Sequence, residues 1–209
     1  MSSYERLATL WQQVCYLDRY ALPGALVECG VARGGSVGMM ALAHRAFGKP
    51  QRHLHLFDSF EGLPEPQEGA DGEKARTYAN GRMSGKLASI GQCVGTLDDN
   101  RKFLEEKIAY PKNLLHYHIG WFQNTVPTDA PEIGPIGLLR LDGDWYESTK
   151  LCLDHLFPLV IPGGVVVIDD YGCWEGCRKA VDEFLAHSSF PVLLHHIDNT
   201  ARVFVKLGA

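Results

Sequence analysis

Asp142 and Asp144 follow the apolar run Leu138-Leu139-Arg140-Leu141, and Asp169 and Asp170 follow another, Val165-Val166-Val167-Ile168. Each run has the length and composition of a buried strand. Residues two apart on an extended chain face the same side, so Asp142 and Asp144 can share one crevice at a strand end. The 27 residues from Asp142 to Asp169 leave room for one crossover helix, Tyr146 to about Val160, between parallel neighbours. Up to four carboxylates would then meet on one rim. Like charges crowded in this way are unfavourable unless a cation lies among them, and a hard, oxygen-seeking ion such as Mg²⁺ suits the donors.

A second chemical feature lies nearer the N-terminus. Ala25 to Cys29 reads as a buried strand that runs into Gly30-Val31-Ala32-Arg33-Gly34-Gly35-Ser36 and then into a helix through Met39, Met40, Leu42, Ala43 and Phe47. Glycines between a strand and a helix let a ligand approach the backbone, and the helix N-terminus favours anionic groups. His53-Leu54-His55-Leu56-Phe57-Asp58 is a second strand ending in an acid. Doubly wound sheets bind ribose hydroxyls at this place, although a turn cap is the plainer use. His53 and His55 alternate with apolar residues and read as strand-face or edge residues, not ligands. Leu114 to Ile119 is a third strand, followed by Gly120-Trp121-Phe122, an aromatic pair that can flank a flat base or plug the core.

The positioning elements follow from the remaining pattern. Ser2-x-x-Glu5 can cap a first helix with Leu7, Leu10, Trp11 and Val14 on one face, ending before Pro23-Gly24. That stripe suits core packing and can also dock a second copy in a homo-oligomer. Residues 59–85 are acidic and turn-rich, and a connection this long in a small domain is usually functional, so they read as a mobile lid. Leu97 to about Ala109 is helical until Pro111. Ile136 to Leu141 and Gly164 to Ile168 are the fourth and fifth strands. An amphipathic helix carries Trp174, Cys177, Ala180, Val181, Phe184 and Leu185, and Val192 to Ile197 with Arg202 to Lys206 suggests a closing hairpin. The whole of 1–209 reads as one α/β unit, with 1–23 as an N-terminal helical segment.

A net charge of −5, with no basic run, argues against a nucleic-acid or anionic-membrane partner. No apolar segment approaches a membrane span and no signal-peptide pattern opens the chain, which points to the cytoplasm. The six cysteines then read as reduced thiols. Cys173-x-x-x-Cys177 with His195-His196 has the wrong spacing for a zinc knuckle.

Glu28-x-Gly30-x-x-x-Gly34-Gly35-Ser36 is similar to the first motif of class I S-adenosylmethionine-dependent methyltransferases. Phe57-Asp58-Ser59-Phe60-Glu61-Gly62-Leu63-Pro64, Gly120-Trp121-Phe122, Leu141-Asp142-Gly143-Asp144-Trp145-Tyr146-Glu147-Ser148-Thr149 and Ile168-Asp169-Asp170-Tyr171 narrow the match. In this order, from about Gly24 to about Phe184, they resemble the macrocin O-methyltransferase family, magnesium-dependent enzymes that methylate sugar hydroxyls in antibiotic biosynthesis. The resemblance implies a Rossmann-like, mostly parallel seven-stranded sheet with an antiparallel C-terminal hairpin. It implies S-adenosylmethionine and Mg²⁺ as cofactors and a small-molecule hydroxyl as acceptor. By position, Glu28 and Gly30 would hold the methionine end of the cofactor and Ser36 its carboxylate. Asp58 would bind the ribose, with Ser59 beside it, and Gly120, Trp121 and Phe122 would border the adenine. Asp142, Asp169 and Asp170 would ligate the metal, with Asp142 also beside the cofactor. Related catechol-type enzymes place a lysine base where this chain has Trp145, and the histidine of one macrolide branch is absent there too. A nearby carboxylate could take the proton: Asp142 first, as the nearest to the expected metal and methyl positions, and Asp144 second.

Other readings explain less. A catechol-like vicinal diol would suit the same metal. A haloacid-dehalogenase-like phosphatase would use Asp142-Gly143-Asp144, but Tyr146 stands where that motif has Thr or Val, and its lysine motif has little room. A nicotinamide dehydrogenase accounts for the glycine turn but not for the acids. A non-catalytic scaffold accounts for neither set being complete.

Overall fold

The computed structural model describes residues 3–48, 51–188 and 191–208. Five parallel strands form where the apolar runs lie: β1 (Ala25–Cys29), β2 (Leu54–Asp58), β3 (Leu115–Ile119), β4 (Ile136–Leu141) and β5 (Val160–Ile168). Two short strands, β6 (His195–His196) and β7 (Arg202–Val205), complete the sheet in the order β3-β2-β1-β4-β5-β7-β6, with β7 antiparallel to β5 and to β6. The order reverses between β1 and β4, so a crevice opens at the carboxyl ends of those strands, where doubly wound sheets bind ligands.

Both faces are covered, which is why β1, β2 and β4 are buried along their whole length. Helices α1 (Tyr4–Arg19) and α2 (Gly35–Phe47) pack one face over Leu26, Leu138 and Val167. On the other face lie α5 (Phe122–Ile133), α6 (Tyr146–Leu156) and α7 (Glu175–Ala186), over Val27, Leu139 and Val166. Buried Asp18 ties α1 to its surroundings, accepting from Arg52 at 2.6 Å and pairing with His44 of α2 at 2.8 Å. No helix among the described residues is long and apolar enough to cross a membrane.

Several boundaries differ from the sequence pattern for identifiable reasons. Ser3 caps α1, accepting from the Arg6 amide; Ser2 lies outside the described residues. After α6 the chain makes a tight turn at Phe157–Leu159, and β5 starts at Val160, four residues before Gly164, where the sequence pattern starts the strand. The Leu97 helix is a short α4 (Leu97–Arg101) continued by a wider π-type turn over Lys102–Lys107. Residues 59–96 are a folded insertion with its own helix, α3 (Gly72–Tyr78). Asp71 pins it, accepting from the amides of Gln67 and Tyr146 at 2.7 Å each. Trp145, 2% exposed, donates its indole N–H to the Pro64 carbonyl. The indole in the position of the catechol-type lysine thus anchors the insertion to the start of α6.

Beneath α5, β2 and β3 present imidazoles to one face. His53 bonds to His116 at 2.7 Å, and His55 to His118 at 3.0 Å, which in turn bonds to Asp129 of α5. The strand-face reading of His53 and His55 matches this arrangement.

Candidate active site

The crevice between β1 and β4 holds a cavity of about 220 Å³. Gly30, Ala32, Asp58, Ser59, Trp121 and Phe122 line one part of it, and Asp142, Asp144, Asp169, Asp170 and Arg6 another. The two features seen in the sequence therefore share one chamber. Of the residues expected at a cofactor, Gly30, Asp58, Ser59, Trp121, Phe122 and Asp142 are in its wall, while Glu28, Ser36 and Gly120 lie outside that lining.

The glycine turn is built by close packing. Gly30 has φ +89°, and a Cβ there would overlap the carbonyl oxygen of Asp142. Gly34, at φ +75°, starts α2 without a side-chain cap, and added volume at Gly35 would meet open space. The first turn of α2, including buried Ser36, therefore offers a helix N-terminus suited to a carboxylate. Asp58 accepts from the Val31 and Ala32 amides at 2.7 and 2.9 Å and from Phe60 at 2.6 Å, locking the turn to β2. Burial raises its proton affinity against those three amides.

On the acidic side, β4 ends at Leu141, and Asp144 has a left-handed backbone at φ +57°, an uncommon conformation for a non-glycine residue. Asp142 and Asp144 come together through this turn and not through strand alternation. Consecutive residues at a strand end do alternate, and Asp169 and Asp170 point differently. Asp170 joins Asp142 and Asp144, and one carboxylate oxygen from each lies within 4.8 Å of the others. Asp169 instead pairs with Arg140 at 2.6 Å and with Arg6 of α1. Arg6 also bonds to Asp198 at 2.7 Å and to Thr200, joining α1 to the β6–β7 turn. Trp174 donates its indole N–H to Asp144 at 2.6 Å.

Arg140 is 1% exposed and also reaches Glu28 at 2.5 Å and Asp142 at 3.0 Å. Burial pushes Glu28 up to about 8, with Arg140 pulling against the rise. Burial, then the Asp142 charge, pushes Asp144 well above the usual carboxylate range. Burial, then Asp144 and Asp142, does the same to Asp170, whose Oδ2 has no hydrogen-bond partner among the described residues. These are the properties of an oxygen-donor set that gains from a cation. The cation fits because three hard oxygens converge there, and of their three acids Arg140 pairs with Asp142.

Sequence reading missed Arg6, Arg140 and Trp174. The arginine inside the apolar run Leu138–Leu141 is a signal in itself, since a buried guanidinium needs acidic partners. Arg6 and Trp174 carry no comparable mark.

The family model for macrocin-O-methyltransferase (TylF) matches residues 1–206. The chain belongs to this family. Its relatives include the 8-demethyl-8-(2,3-dimethoxy-alpha-L-rhamnosyl)-tetracenomycin-C 4'-O-methyltransferase of Streptomyces olivaceus, 37% identical over 86% of this chain and 64% of the relative. Demethyldecarbamoylnovobiocin O-methyltransferase of Streptomyces niveus is 37% identical over 89% of this chain and 67% of its own length. The chain thus spans about two thirds of the length of these curated relatives. Among solved structures, the O-methyltransferase NovP superposes with a TM-score of 0.83 at 30% identity, covering 98% of this chain and 80% of that one.

Proposed function

We propose that the protein transfers a methyl group from S-adenosylmethionine to a hydroxyl of a small natural product, with a sugar ring as acceptor, in the presence of Mg²⁺. The observation that carries this reading is the convergence of Asp142, Asp144 and Asp170 in the same cavity as the glycine turn. The sugar acceptor is supported by the rhamnosyl group in the name of the tetracenomycin relative. Family membership sets aside the phosphatase and dehydrogenase readings.

In this reading Gly30, Asp58, Ser59, Trp121 and Phe122 would hold the cofactor, with the α2 N-terminus available to its carboxylate. It supplies an electrophilic methyl group on a sulfonium. Asp142, Asp144 and Asp170 would hold the cation, which would lower the pKa of a bound hydroxyl and orient it. The chain's own task is alignment and proton removal. Holding the reacting oxygen in line can supply roughly 7–11 kcal/mol of the barrier. Asp142 and Asp144 are the carboxylates placed to take the proton. Arg140 pairs with Asp142, whereas Asp144 is held by a neutral indole, which leaves Asp144 without a direct ion pair and better placed to accept the proton.

The test is incubation with S-adenosylmethionine, MgCl₂ and a panel of O-demethyl glycosides, read by mass spectrometry. A product heavier by one methyl group, lost when EDTA is added, is expected. Asp144→Asn should lower kcat by about 10²–10⁴-fold while Mn²⁺ still binds through Asp142 and Asp170. Full turnover in EDTA would remove the cation from the reading, and absence of S-adenosylmethionine binding would remove the activity.

A further inference from the structure

We propose that Arg140 is a positioning residue that makes occupation of the carboxylate cluster and occupation of the glycine-turn cavity interdependent. The inference rests on the cofactor and cation reading above. Arg140 lies on β4, opposite Glu28 in the register with β1 and opposite Val167 in the register with β5. A single nitrogen, Nη1, serves Glu28 Oε1 at 2.5 Å and Asp142 Oδ2 at 3.0 Å. Nη2 holds Asp169 Oδ1 at 2.6 Å, and the other oxygen of Asp169 is held by Arg6. One buried guanidinium thus joins the strand that carries the glycine turn to both strands that carry the acids.

A guanidinium is a rigid planar fork, so it cannot follow one carboxylate without changing its geometry to the others. A divalent cation at the cluster competes for the charge of Asp142 and loosens its claim on Nη1. Glu28 then becomes the main partner of that nitrogen. Glu28 stands two residues before Gly30, so a firmer Glu28–Arg140 pair fixes the base of the turn against which the cofactor lies. Arg140 Nε and Glu28 Oε2 are buried without hydrogen-bond partners among the described residues. The network therefore keeps a donor and an acceptor in reserve for a second arrangement.

Coupling of this kind is reciprocal and measurable as a ratio of affinities, typically about 5–150-fold. Calorimetric titration of the intact protein with S-adenosylhomocysteine, with and without saturating MnCl₂, gives the ratio without turnover. Titration with MnCl₂, with and without S-adenosylhomocysteine, must give the same ratio. We expect at least about fivefold tightening in the wild type and a ratio near one in Arg140→Lys, which keeps the charge and loses the fork. A purely structural arginine would weaken both ligands and leave their ratio unchanged, which would overturn the inference. Glu28→Gln keeps the shape of the partner and should also reduce the ratio, so the test survives if Arg140→Lys does not fold. Wild-type protein that binds both ligands independently overturns the inference alone. Protein that binds neither overturns the functional reading with it.

Discussion

Asp169 and Asp170 are neighbours in sequence and partners of different groups, because adjacent side chains at the end of a strand leave on opposite sides. Asp170 faces Asp142 and Asp144, while Asp169 turns to two arginines. The acids themselves were legible, since four carboxylates ending two apolar runs have few other uses. The pairing of Asp169 with Arg6 was not, because Arg6 lies 163 residues before Asp169 and only the folded chain joins them. The proposed role of Asp144 as a base would depend on its tether to Trp174. Trp174→Phe keeps a ring against Trp145 and Tyr78 but removes the N–H donor. Turnover should fall about tenfold, the equivalent of one net hydrogen bond of about 1.4 kcal/mol, with Mn²⁺ affinity changed less. Steady-state kinetics beside a Mn²⁺ titration would check this, and unchanged kcat would show that the tether does not matter.

Among the elements, strands and the glycine turn could be read directly, since apolar runs bounded by glycine or acid have one plain interpretation. Helix α5 was hidden by Pro127 and Pro131, each of which removes a backbone donor from its interior. Its signal was nevertheless present: Phe122, Val126, Ala130 and Ile133 recur at helical spacing and are the residues it buries. Residues 59–85 read as a mobile lid because the stretch is long, acidic and turn-rich. The acid that organises it, Asp71, looks in the sequence like any other loop carboxylate. Both of its oxygens accept from backbone amides of different elements. Asp71→Asn would set an NH₂ against one of those donors and should lower unfolding free energy by about 1–3 kcal/mol. Urea denaturation would show a lower midpoint, and an unchanged midpoint would mean that the insertion is held elsewhere.

For the molecule as a whole, buried His55 beneath α5 makes stability depend on pH. His55 is 7% exposed, and burial, followed by the charges of His116, His118 and His53, lowers its pKa from 6.5 to about 3. The unfolded chain takes up that proton below about 6.5 and the folded chain only near 3. Folding is therefore unaffected by His55 above the upper value and progressively weakened as pH falls between the two. Thermal melts from pH 7.5 to pH 4.5 should show a falling Tm, with a shallower slope in His55→Gln; parallel slopes would exclude His55 as the cause. The contact of Gly30 with the Asp142 carbonyl has a different reach. It makes the separation between donor pocket and acid cluster a main-chain dimension, one peptide thick and independent of any rotamer. If the proposed activity holds, new acceptors could then be accommodated by recutting the insertion residues that line the chamber, Gly62, Leu63, Pro64 and Cys93, with the methyl's path left untouched.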